Sequence, residues 1–156
     1  VGTVSGDAIT YGAAATFQSG TSGAQSISAA ALSATQFVVM YKDTNDSNHG
    51  TAKVGTVSGT AIVFGAEAEF LSVGGADFNA ATALSAKQFV VAYRDTADSN
   101  HGTAKVGTVS GTAIAFGAEA EFLSANGANY NSAAALDSRV AKSCVTVMSL
   151  ALSAAW

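Results

Sequence analysis

The stretch "DTNDSNHGTAKVGTVSG", Asp43 to Gly59, returns as "DTADSNHGTAKVGTVSG" at Asp95 to Gly111 with one letter changed. The chain also opens on the second half of the same phrase, "VGTVSG", Val1 to Gly6. Working outward, the repeats run from residues 1 to 53, 54 to 105 and 106 to 156, and together they read as one repeat domain. The first two match throughout. The third follows the pattern to Leu136 and then departs. A period near 52 residues is too long for one strand and turn, and it suits a four-stranded unit of the propeller-blade kind.

Four strands are legible in each unit. Strand A is "NAATALSA", Asn79 to Ala86, and strand B is "QFVVAYRD", Gln88 to Asp95. Strand C is "GTAKVGTVSG", Gly102 to Gly111, and strand D is "TAIAFGAEAEF", Thr112 to Phe122. In strand D the alternation puts Ile114, Phe116, Ala118, Ala120 and Phe122 on a packed face and Glu119 and Glu121 on a solvated one. Strand B is apolar on both faces, so it is expected to be covered on both. Strand A is nearly all small residues, as a crowded central position requires. "SGDA" (Ser5 to Ala8) and "SGTA" (Ser58 to Ala61) place glycine where a two-residue II′ hairpin turn needs it. "SGTSGAQS" (Ser19 to Ser26) and "SVGGADFN" (Ser72 to Asn79) read as loops between units. Helix is disfavoured because Gly, Ser, Thr and Val recur every few residues. Only the alanine-rich end, 133 to 156, invites it. There "AKSCVTVM" (Ala141 to Met148) echoes "AKQFVVAY" (Ala86 to Tyr93), which favours a degenerate strand B.

The fold class expected is therefore all-β. The chain resembles extracellular β-propeller repeats through its "FVVAYRD" and "GTAKVGTVSG" elements. Through "FGAEA" at Phe64 and Phe116 it also resembles the integrin-type phenylalanine-glycine repeat, whose calcium loop of regularly spaced aspartates is not reproduced here. The propeller resemblance implies a secreted protein and a face shared by the B–C loops and the loops between units.

Read as blades, the order is C-D, A-B-C-D, A-B-C-D, A-B. Two units are whole and two are halves, the first being Val1 to Phe17 and the last starting near Ser132. Sheet edges left unpaired are sticky. Closing one chain on itself would give three blades, below the usual four to eight. Two chains closing on each other would give about six, and a contact that fails to close would propagate as a filament. The start at Val1 without methionine is also read as a removed leader or as a slice of a longer repeat chain. Repeats two and three carry Glu67 with Glu69 and Glu119 with Glu121, where repeat one has Ala14 and Thr16. Two readings stay open: drift between repeats, or a first D strand that is covered in an assembly.

The net charge of −4, with Lys and Arg scattered singly, excludes a phosphate-binding surface of the nucleic-acid type. No stretch reaches the roughly 18 apolar residues of a membrane helix. Cys144 is the only cysteine and reads as a small buried residue, with an intermolecular or reactive thiol as the alternative. No Ser/His/Asp or Cys/His set and no phosphate-cradling loop is present, so no enzyme is expected.

The candidate binding residues fall in the B–C loops. Asp43, Asp46, Asn48 and His49 recur as Asp95, Asp98, Asn100 and His101. The oxygen donors suit a hard cation, so calcium is the one cofactor considered, with Asp43, Asp46, Asp95 and Asp98 as its carboxylates. The same residue types also build turns through their own backbone. The histidines read as solvated loop residues. Phe78 and Tyr130, if they share that face, would offer aromatic platforms to a sugar, or else plug gaps between blades. "NDS" at Asn45 is a glycosylation sequon on a surface loop. The leading function is an extracellular structural protein that assembles with copies of itself. The alternatives are a lectin-like or adhesion module that binds glycans and a calcium-bound scaffold.

Overall fold

The computed structural model describes residues 1–124 and 127–135, together with the backbone of residues 145–150. Cys144 and the last residues of the chain lie outside the described residues, as does any reading placed on them. The described residues contain strands and no helix.

Among the described residues fourteen strands form four antiparallel sheets. A two-stranded hairpin comes first, β1 (Gly2–Ser5) with β2 (Ala8–Tyr11). Unit one follows: β3 (Ala24–Ala31), β4 (Gln36–Asp43), β5 (His49–Ser58), β6 (Ala61–Phe64) and β7 (Ala68–Leu71). Unit two repeats it: β8 (Ala76–Ser85), β9 (Gln88–Asp95), β10 (His101–Ser110), β11 (Ala113–Phe116) and β12 (Ala120–Leu123). A second two-stranded sheet is the last among the described residues, β13 (Asn129–Ala135) with β14 (Val145–Leu150). In each unit the order is first-second-third strand, and the fourth position is shared by two short strands that both pair with the third.

Strand B behaves as its composition requires. Phe89, Val90, Val91, Ala92 and Tyr93 of β9 are all buried, and so are Val38 to Tyr41 of β4. The hairpin turns also agree. Gly6, Gly59 and Gly111 have positive φ and the residue after each does not, the II′ pattern.

Three boundaries differ from the sequence reading. Strand D is not continuous. After β11 the Gly117 amide donates to the Val106 carbonyl at 2.9 Å, and the register then slips before β12 resumes pairing with β10. Ala118 and Ala120, both assigned to the packed face, are exposed. Strand A starts earlier than expected, so residues 24–26 and 76–78 belong to strands rather than loops. A β-bulge makes this feasible: Ser26, Phe78 and Tyr130 occupy the same place in successive units, each with φ near +50°, and the ladder register shifts there. Finally, β14 is a strand, but its register is one residue from the alignment read in the sequence. Met148 faces Ser132, the position Ala92 holds opposite Ala80, not the position of Tyr93. The small side chains of Ala133 to Ala135 specify register weakly.

The units dock by one repeated junction. The Phe17 ring packs on Tyr41 and Phe64 of unit one, with centroids 5.1 and 6.0 Å apart. Phe70 at the end of unit one packs on Tyr93 and Phe116 of unit two at 5.1 and 5.8 Å. Lys53 Nζ donates to the Phe17 carbonyl at 2.5 Å, and Lys105 Nζ to that of Phe70 at 2.6 Å. The first strands of successive units also adjoin: Ser26 Oγ and Ser28 Oγ of β3 accept from the Phe78 and Ala81 amides of β8 at 3.2 and 3.1 Å. One hydrophobic core runs through both units, from Val38, Met40 and Val54 through Phe70 to Phe89, Val91 and Tyr93.

Candidate functional site

The B–C loop is built by its own side chains. Asp43 is buried at the end of β4, and its Oδ1 accepts from the Asn45 amide at 2.9 Å and from Gln18 Nε2 at 3.2 Å. Asp95 does the same in unit two, accepting from the Ala97 and Asp98 amides at 2.8 and 3.3 Å. Ser47 and Asn48, like Ser99 and Asn100, then take left-handed conformations that turn the chain back. The His49 and His101 amides close the turn onto the Asp46 and Asp98 carbonyls at 2.8 Å. The Asn48 carbonyl accepts from the Ala76 amide at 3.3 Å, and the Asn100 carbonyl from Ala128 at 3.4 Å. The loop therefore also positions the start of the next unit. Asp43, Asp95, Asn48 and Asn100 have structural tasks, and Asp43 and Asp95 do not join the exposed carboxylates of their loops in one oxygen cluster among the described residues.

What the turn does bring together is Asp46 with His49, joined from β7 by Glu69. The β5–β7 ladder sets Glu69 opposite Thr51, diagonal to His49 on one face. His49 Nδ1 lies 3.6 Å from Asp46 Oδ2 and 3.5 Å from Glu69 Oε1. Unit two reproduces the set: His101 Nδ1 is 3.3 Å from Asp98 Oδ2 and 3.0 Å from Glu121 Oε2. Neither histidine is a solvated loop residue. Their side chains are only 18% and 20% exposed and they open strands β5 and β10. The sequence reading missed Glu69 and Glu121 as partners because it placed them on a solvated face. Their neighbours Glu67 and Glu119 are also engaged, each bridged to Lys53 or Lys105 at 2.8 Å and hydrogen-bonded by Tyr41 or Tyr93 at 3.3 Å. Each glutamate thus meets a Lys or His of its own unit. Ala14 and Thr16 follow the β1–β2 hairpin, whose described residues contain no matching Lys or His.

Phe78 and Tyr130 do meet. Their centroids are 5.2 Å apart, the Arg94 guanidinium sits 4.6 Å over the Phe78 ring, and Tyr130 remains 66% exposed. Beneath them a polar chain crosses both junctions. Lys42 bonds Asp77 at 2.8 Å, Asp77 bonds Arg94 at 2.6 Å, and Arg94 bonds Asn129 at 2.6 Å. Burial raises the Asp77 carboxyl, but the hydrogen bonds and charges of Lys42 and Arg94 outweigh it and hold the group below the usual carboxylate range. The sequon residue Asn45 lies on an exposed loop, where its Oδ1 accepts from the Ser22 amide at 2.9 Å.

No family model, no curated protein and no solved structure matches this chain. No helix among the described residues is long and apolar enough to cross a membrane.

Proposed function

We propose that the chain is an extracellular structural repeat protein, built of propeller-type blades, whose copies associate head to tail by completing each other's sheets. In this reading β13–β14 of one copy supplies the first and second strands of a blade, and β1–β2 of the next supplies the third and fourth. The observation that carries it is the bareness of β1–β2. Val4, Ile9 and Tyr11 are 68%, 55% and 76% exposed. Their counterparts in unit two are covered: Val109 is 4% exposed, and Ile114 and Phe116 pack against the core. The difference is the neighbouring strands. β10 has β9 along its other edge, while β1 has no strand there among the described residues. Burying an apolar side chain of this size stabilises by about 1.5–3 kcal/mol, so three of them give an association real driving force.

The repeated junction supports the direction of growth. Phe17 onto Tyr41 and Phe70 onto Tyr93 are the same contact made twice, the heterologous kind that closes into rings or propagates as filaments. Size-exclusion chromatography with light scattering tests the proposal. The expected mass is a multiple of the 15.4 kDa chain, falling toward a single chain when Ile9 and Tyr11 are replaced by Ser. A folded monomer at micromolar concentration contradicts it.

A second reading has its own observation. The exposed Tyr130 ring, tilted against Phe78 and next to Arg94, offers a sugar an apolar face with polar neighbours. Glycan-array binding lost in Tyr130→Ala supports a lectin-like module, and an array without signal contradicts it.

A further inference from the structure

We propose that each complete unit holds a divalent transition cation of the zinc class between Asp46, His49 and Glu69, and again between Asp98, His101 and Glu121. Three features carry this. The first is donor chemistry. One imidazole nitrogen and two carboxylate oxygens suit a borderline cation, whereas calcium takes oxygen ligands throughout. The second is spacing. Ligands about 2.1 Å from a metal stand roughly 3.0 Å apart at a right angle and roughly 3.4 Å apart at the tetrahedral angle. The histidine Nδ1 atoms lie 3.5 and 3.6 Å from their carboxylate oxygens in unit one and 3.0 and 3.3 Å in unit two, and all donor atoms of a set fall within 4.8 Å of one another. The third belongs to unit one: whereas His101 Nδ1 lies within hydrogen-bond distance of Glu121 Oε2 at 3.0 Å, His49 Nδ1 is out of reach of solvent and has no hydrogen-bond partner although it points at two carboxylates. A cation would satisfy it.

Three different segments meet in each set: the B–C turn, the start of the third strand and the second short strand of the fourth position. A cation would therefore tie β7 to β5, and β12 to β10, beside the register slip that interrupts each ladder. The carboxylates remain exposed, so the cation has an open path from solvent. The two sets keep Asp, His and Glu although the loops differ at Asn45 and Ala97 and the preceding strands differ at Met40 and Ala92.

Equilibrium dialysis of the full chain against Zn2+, read by elemental analysis, tests the proposal directly. Wild type is expected to hold two equivalents that His49→Ala reduces by one and His49→Ala with His101→Ala reduces by two. Glu69→Gln with Glu121→Gln, a nearly isosteric pair, is expected to show the same loss with an unchanged far-ultraviolet circular dichroism spectrum, which separates lost ligands from lost fold. Equal zinc content in wild type and both double variants overturns the proposal, as does displacement of the zinc by an equal concentration of Ca2+. The readout is independent of whether copies associate.

Discussion

Phe89 and Gly107 face each other across β9 and β10, and the Phe89 ring lies directly over the glycine. Phe37 covers Gly55 in the same way in unit one. A methyl group on either glycine would collide with the ring above it. Gly107→Ala is therefore expected to destabilise unit two by about 1–3 kcal/mol through overpacking, and Phe89→Ala by about 3–5 kcal/mol through the cavity it leaves. Urea denaturation reads both as lowered midpoints. An unchanged midpoint for Gly107→Ala would show that the ring does not sit on the glycine.

Asp77 joins the units through Lys42 on one side and Arg94 on the other. Its folded-state pKa is depressed, so its contribution is fully present above the unfolded value and is lost as pH falls through the folded one. Asp77→Asn is expected to cost about 1.5–3 kcal/mol at neutral pH, the range for hydrogen bonds to charged groups. It is also expected to flatten the acid limb of the stability curve. Thermal melts of the two proteins between neutral pH and pH 3 make the comparison, and parallel acid limbs would contradict it.

The alkaline limb rests on Tyr41 and Tyr93. Burial first, then the charges of Glu67 or Glu119 and of Asp43 or Asp95, raise both phenols well above the ordinary value of 10.0. The unfolded chain ionises near that value while the folded one stays protonated, so stability should begin to fall as pH rises past about 10. Replacing both tyrosines with Phe should remove much of that slope. A spectrophotometric titration that shows both phenols ionising near 10 in the folded protein would contradict the assignment.

Much of this architecture is legible in the letters. "QFVVAYRD" is apolar on both faces and is buried on both, and "SGTA" fixes a two-residue turn. The hidden parts depend on backbone irregularities that no hydrophobic pattern encodes. The bulge at Ser26, Phe78 and Tyr130 puts ordinary residues at positive φ, so strand A looked like loop up to Asn79. The slip after Gly65 and Gly117 breaks the period of strand D and turns Glu69 and Glu121 toward the histidines. A site made of a turn and a strand 20 residues further on becomes visible only once that slip is in place.

Disulfide trapping tests head-to-tail completion most directly. Carrying the β9–β10 register over to an added strand sets Val145 opposite Gly2 and Thr146 opposite Val1. In a Cys144→Ser background, Val1→Cys with Thr146→Cys should oxidise into dimers and higher species on a non-reducing gel, with neither single variant forming more than a dimer. A cross-link confined within one chain, or no cross-link at concentrations where wild type is associated, would contradict the account.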